Sequence, residues 1–420
     1  MAESSPSRSE LSEHRERNRH RKPGTGVLAL IAALVRALQR QLLWIMFGAY
    51  ALAAVLPGPG EAVRSVTLGR IGATALPLQA GLLAVVVFNA GLTAKAEQLP
   101  ALLRRPGPLA LGLAINALLP SVLLALASIG AEGWHNPHEA QSLLAGLALI
   151  GAMPVAAGAT VFSQGDEGSA TLSLGLVLGS TLLSPLTIPL GLHLGGFLTT
   201  GGYASDLHAA AKTAGSLFAV MIVVLPCLLG LLTGRIVSRI GRGTDRPGGM
   251  GGLGGLGPAL PVIRLVNLTV VVTLSYTNAC GALRQVIRKP DPDFLLLVVA
   301  AAALMCSVSF LCGWVIAGRL SCDRGEAVAL TYASGMNNSS ASAVLAATRI
   351  PDHPAVLLPI LAYSLLQKIL AGSVGRFIGS SPVRPHGLPP GPPPGRTAGQ
   401  AAGRGHAGPV SASSSDAGSR

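Results

Sequence analysis

The residues with the most chemistry to offer lie together in Tyr332-Ala333-Ser334-Gly335-Met336-Asn337-Asn338-Ser339-Ser340-Ala341-Ser342, which sets two adjacent amides and a run of hydroxyls between apolar flanks. An amide in hydrocarbon is costly unless it is hydrogen-bonded, so these groups must face protein, an aqueous cavity or a ligand. Gly335, with two asparagines and two serines after Met336, makes a poor continuous helix, and a local break is expected there. A broken membrane helix offers free backbone amides and carbonyls to ions and anions. The plainer alternative is that Gly335, Ser339, Ala341 and Ser342 let two helices pack closely. Adjacent amides are harder to explain that way than small residues are.

What must position these groups is a set of membrane helices. The 420 residues are 50% hydrophobic and 12% charged, with a mean hydropathy of +0.55; a globular chain carries about twice that charged fraction. Apolar windows near the roughly 20 residues needed to cross a bilayer recur from Gln41 to about Phe377. The net charge of +13 sits in tails and short connections, where it reads as a topology determinant. With no nucleic-acid motif beside it, a nucleic-acid partner is excluded and the lipid bilayer is the expected one. Cys227, Cys280, Cys306, Cys312 and Cys322 lack metal-ligand spacing and are read as free thiols, and the scattered histidines indicate no metal site.

The expected fold is an all-α polytopic membrane protein of about ten transmembrane helices. A basic, disordered N-terminal tail (residues 1–25), retained rather than cleaved, precedes helices one to six (26–234). A basic, glycine-rich cytoplasmic loop follows (235–258), then helices seven to ten (259–378) and a disordered tail rich in proline, glycine and serine (379–420). Residues 26–39 form either an interfacial helix or an extension of the first span, about Gln41 to Leu56. Span two covers about Ala73 to Thr93 and span three about Gly107 to Ser128, with Asn116 and Pro120 inside it. Spans four and five carry Pro154 and Pro185 and are expected to be kinked or interrupted. They are joined by the turn Gln164 to Gly168, where Asp166 and Glu167 read as a solvated pair. Span six runs from about Ala211 to Thr233. Arginine placement puts both termini on the cytoplasmic side of a cell membrane. The fourth and ninth spans hold matching breaks, as in two inverted five-helix repeats with a site at the bilayer midplane.

Ser180-Thr181-Leu182-Leu183-Ser184-Pro185, Gly335-Met336-Asn337-Asn338-Ser339 and Phe88-Asn89-Ala90-Gly91-Leu92-Thr93 resemble the bile-acid:sodium symporter family and its bacterial homologues. The resemblance extends over roughly Gln41 to Phe377. It implies a ten-helix carrier with a panel and a core domain, in which broken fourth and ninth helices cross. An organic anion binds between the domains and two sodium ions bind behind the crossing. By position, one sodium site falls at Ala159, Thr160, Ser173, Val177 and Ala333. The other falls at Ala333, Ser334, Met336 and Asn337, with Asn116 supplying an amide. The sequence departs from the family at Ala333, where a glutamate is usual, and at Ala159 and Val177, where hydroxyls stand.

Lys368 is a further departure, since the family commonly has asparagine there. Its long stem could carry the amine to an interface. Alternatively, a fixed ammonium replaces a bound sodium, or titrates and couples to protons. The leading expectation is therefore a secondary active transporter of a small organic anion, with Thr160, Asn337, Asn338, Ser339, Ser340, Ser364, Gln367 and Lys368 lining the substrate site. Asn116, Ser173, Ser334, Met336 and Asn337 are the candidate ion ligands. No cofactor is expected beyond a sodium ion or proton as coupling ion. A scaffold or sensor that keeps the fold without transport is the alternative. An intramembrane enzyme is disfavoured, because neither a nucleophile–base pair nor a metal-binding cluster appears among the apolar windows.

Overall fold

The computed structural model describes residues 24–71, 74–94, 106–213, 220–242, 257, 259–288, 290–320 and 322–380. The expected disorder of residues 1–23 and 381–420, the basic connection at Lys95, Arg104 and Arg105, and most of the glycine-rich loop lie outside these residues.

The helices are α1 (Gly24–Arg40), α2 (Leu42–Val55), α3 (Pro57–Ser65), α4 (Leu78–Leu92), α5 (Pro106–Ala131), α6 (Pro137–Gly151), α7 (Gly158–Gly165), α8 (Ala170–Phe197), α9 (Gly201–Thr213), α10 (Leu225–Arg242), α11 (Leu260–Arg288), α12 (Pro292–Arg319), α13 (Arg324–Gly335), α14 (Ser339–Arg349) and α15 (Leu357–Ser380). A two-stranded antiparallel ribbon, β1 (Thr67–Ile71) with β2 (Thr74–Pro77), stands between α3 and α4. Among the described residues six helices are long and apolar enough to cross a membrane, or seven if α1 and α2, bent by 73° at Gln41, count as one span. This is an all-α polytopic membrane fold.

The helices are patterned for lipid. On α12, Leu296, Leu304 and Leu311 are 60–70% exposed while Ala302, Met305, Cys306 and Ser309 are buried. The large apolar side chains turn outward and the small and polar ones inward, as expected where lipid tails are as apolar as leucine and close packing drives association. On α4 and α10 the same logic works through glycine. A Cβ on Gly91 would stand 2.2 Å from the Cys227 carbonyl oxygen, and one on Gly230 would stand 2.1 Å from that of Phe88. The two backbones therefore touch directly.

Contacts gather the helices into two groups. In one, α2 and α4 pack with α11 and α10 packs on α4; in the other, α5, α6, α8, α12 and α15 surround the short helices α7, α13 and α14. Contacts of α11 with α14 and α15, and of α2 with α15, join the groups.

Four expectations are corrected. Span two is helical only from Leu78, because Thr74–Pro77 pair with β1. Span six begins at Val220 and runs to Ile240, so Arg235 and Arg239 lie in the end of that helix rather than in a loop. Its expected start belongs instead to α9, which opens at Gly201 in the left-handed region, φ +61°; glycine adopts that conformation at no steric cost. Pro185 sits with Pro189 inside an unbroken 28-residue α8, so only Pro154 marks an interruption. The helix tolerates the missing proline donors, as membrane helices do when neighbouring groups re-satisfy the freed carbonyls.

Candidate substrate site at the helix crossing

Both expected breaks are present, and they meet. Helix α6 ends at Gly151 and α7 starts at Gly158; α13 ends at Gly335 and α14 starts at Ser339. Val155 and Asn337 form an isolated antiparallel bridge. Ala156 N–H donates to Met336 O at 2.8 Å and Asn338 N–H donates to Pro154 O at 2.9 Å. Each unwound strand thus satisfies backbone groups that hydrocarbon would leave orphaned. Pro154 contributes a carbonyl but no donor, which suits a residue whose partner approaches from one side.

Side chains anchor this crossing to the surrounding helices. Asn116 on α5 donates its amide to Asn337 Oδ1 at 3.1 Å, and Asn337 Nδ2 donates to the Ile150 carbonyl at 3.2 Å. Ser180 on α8 accepts from Val155 N–H at 3.1 Å. Tyr363 Oη on α15 donates to Gly335 O at 3.1 Å. The asparagine pair divides. Asn337 is 1% exposed and holds the crossing together, whereas Asn338 is half-buried and caps α14 by accepting from Ala341 N–H.

The remaining expected substrate residues gather beside it. Ser339 Oγ accepts from Gln367 Nε2 at 3.1 Å, and Gln367, 2% exposed, leaves its Oε1 buried without a partner. Lys368 Nζ donates to the Ser364 carbonyl at 2.8 Å and reaches Ser364 Oγ at 3.3 Å. The amine is therefore folded back along its own helix at the crossing. Tyr50 of α2 faces Ser364, and its buried hydroxyl completes no hydrogen bond. Ser340 is half-buried. Thr160, also half-buried, turns its hydroxyl to the Ala157 carbonyl at 2.7 Å.

The expected ion ligands are less concentrated. Ser173 pairs with Ser163 at 2.7 Å, and Ser334 donates to Leu330 O at 2.7 Å. Met336 is buried and spends its carbonyl on Ala156.

Two relationships were not read from the sequence. Asp166 is no solvated partner of Glu167: the Tyr332 hydroxyl donates to it and lies 3.1 Å from the Ala371 carbonyl. Beside this contact a cavity of about 340 Å³ is lined by Val161, Phe162, Asp166, Ala371, Gly375 and Arg376, among others. The fold also brings His135, Glu139 and Asp293 together, with ligand atoms within 4.8 Å of one another. His135 there pairs with Asp293 at 3.0 Å, and both Glu139 oxygens accept, from Trp134 and Asn136. Contacts between residues so far apart in the chain leave no local signal.

A polytopic helical protein with a polar crossing of two broken helices is the class that this geometry defines. Residues 80–280 match the family model of the Sodium Bile acid symporter family, and over that stretch the chain is similar to that family. It is 25% identical over 306 residues to the uncharacterized protein YbaS of Bacillus subtilis, covering 72% of this chain and 89% of the relative. It is 24% identical over 275 residues to the uncharacterized sodium-dependent transporter YocS of the same organism, covering 65% of this chain and 75% of the relative. The family supports a transporter, and a chain that is not an enzyme.

Proposed function

We propose that this protein is a secondary active transporter of a small organic anion, working by alternating access, with both termini on the cytoplasmic side. Counting the bent pair α1–α2, the short α4 and the two broken helices as spans gives ten, in two halves read as inverted repeats. The observation that carries the reading is the reciprocal backbone pairing of Val155–Ala156 with Met336–Asn338. Two helices interrupted at corresponding places, with polar side chains beside the interruption, is how carriers build a midplane site. Asn338, Ser340, Thr160 and Lys368 are the half-open groups there. In this reading Lys368 supplies charge, while the hydroxyls and the Asn338 amide orient the anion.

A thermal-shift screen of the purified protein across small keto acids, sulfonates and bile acids, followed by uptake of radiolabelled binders into proteoliposomes, tests this. Saturable accumulation that is lost on Asn338→Ala supports a carrier. Binding without uptake favours the transport-inactive scaffold, for which the sparse ion ligands are the supporting observation.

A further inference from the structure

A sodium ion is a hard cation and needs a cage of oxygens. The residues to which the resemblance assigns that cage do not form one. Ala159, Val177 and Ala333 are buried side chains without oxygen. The Ser173, Ser334 and Thr160 hydroxyls are each turned to a protein partner, at 2.7 Å in every case. The Met336 carbonyl accepts from Ala156 and Asn337 Oδ1 from Asn116, which leaves one lone pair on each; with no side-chain oxygen at positions 159, 177 and 333, the two sets fall short of a full oxygen cage. The implied sodium ligands and the structure disagree.

One cation is nevertheless at hand. Of the side chains named around the crossing, Lys368 is the cation, and its ammonium is held by Ser364; the acid named there, Asp166, is bound by the Tyr332 hydroxyl. Two ties fix α13 against α15 on either side of it. Tyr363 donates to Gly335 O, and the Tyr332 hydroxyl reaches Ala371 O. Ala333 and Lys368 both fall between these ties. A half-buried ammonium among membrane helices calls for a hydrogen bond and an opposite charge; in a carrier of anions, the cargo is the partner.

Resting on the carrier reading above, we propose that the Lys368 ammonium does the work of the coupling sodium, so that the anion is bound and moved without that ion. The lysine is then a permanent part of the site, and the lost oxygens at positions 159, 177 and 333 are its counterpart.

Equilibrium binding of radioactive sodium to the purified full-length protein, at ionic strength held constant with choline chloride, tests this without any organic anion. The expected result is no saturable binding by the wild type. None is expected by Ala333→Glu, which keeps the ammonium. A saturable component should appear in the folded Ala333→Glu/Lys368→Asn variant. Saturable sodium binding by the wild type overturns the proposal whether or not the variants fold. So does equal binding by the single and double variants, or a folded double variant that binds none. Such a failure leaves the carrier reading intact; that reading falls only if the uptake experiment fails.

Discussion

Asn116 and Asn337, 221 positions apart, share a hydrogen bond of 3.1 Å from the α5 amide to the α13–α14 break, and Asn337 passes the connection on to Ile150. A single amide thus bridges three segments, two of them the interrupted ones. Asn337→Ala leaves the Asn116 donor unpaired in a buried place, a loss of about 1–3 kcal/mol, and takes from the Ile150 carbonyl one of its donors, another being Met153 N–H. Thermal unfolding in detergent should show a clear fall in Tm. Asn338→Ala, which removes a cap from a half-open position, should cost only about 0.5–2 kcal/mol. Equal Tm values for the two variants would remove the distinction between an amide that builds the crossing and one that lies half-open beside it.

The contact of Asp166 with Tyr332 ties the turn after α7 to α13, and α15 accommodates it through Gly375. A Cβ on Gly375 would stand 2.4–2.8 Å from the Asp166 carboxylate atoms. Tyr332→Phe keeps the stacking on Phe162, at 6.0 Å between ring centroids, and loses the hydroxyl, for a cost of about 1–3 kcal/mol. Gly375→Ala should destabilise by displacing the carboxylate, and that penalty should shrink once Asp166→Ala has removed the obstacle. A double-mutant cycle on unfolding reads the coupling directly. Additive effects would mean that the glycine answers to something other than Asp166.

The two breaks were legible because their causes are local. Gly335 with Asn337 and Asn338 disfavours helix by propensity, and Pro154 lacks a donor. Pro185 carries the same signal yet sits in a continuous α8, since a proline's letter does not say whether its surroundings re-satisfy the freed carbonyl. Strand β2 falls inside the expected second span and β1 just before it, because hydropathy does not distinguish a short strand from the start of a helix. The polarity of the site was readable, but its division of labour was not. Nothing in the adjacent letters Asn337 and Asn338 says that one is 1% exposed and the other half-buried.

Close approach of α4 and α10 makes a prediction about glycine alone. Gly91→Ala and Gly230→Ala each drive a methyl into a backbone carbonyl oxygen that cannot rotate away. Each should therefore cost at least the roughly 1–3 kcal/mol of an overpacked core. Gly48 on α2 has nothing within 4 Å of its would-be Cβ. Gly48→Ala should be neutral or stabilising by up to about 1 kcal/mol through helix propensity. Unfolding midpoints of the three single variants, measured in one detergent, compare contact with propensity at constant chemistry.

Between α12 and α13, Cys322 offers a chemical readout of the α13 start. Burial first, then the carboxylates of Glu326 and Asp323, hold its thiol above the ordinary range. The thiolate is the reactive form, so a raised pKa means slow alkylation at neutral pH and a rate that climbs as pH rises toward that value. Asp323 and Glu326 also form the capping box of α13, each side chain accepting from the other's backbone N–H. Glu326→Gln preserves that box, because glutamine serves there as glutamate does, while removing one negative charge. In a Cys312→Ala background, with Cys227, Cys280 and Cys306 buried, maleimide labelling of Glu326→Gln should be faster at pH 7 than labelling of the unsubstituted site. The two rates should converge at alkaline pH, where both thiols are ionised. Unchanged kinetics at neutral pH would assign the slow reaction to burial alone and leave the carboxylates a purely helix-capping role.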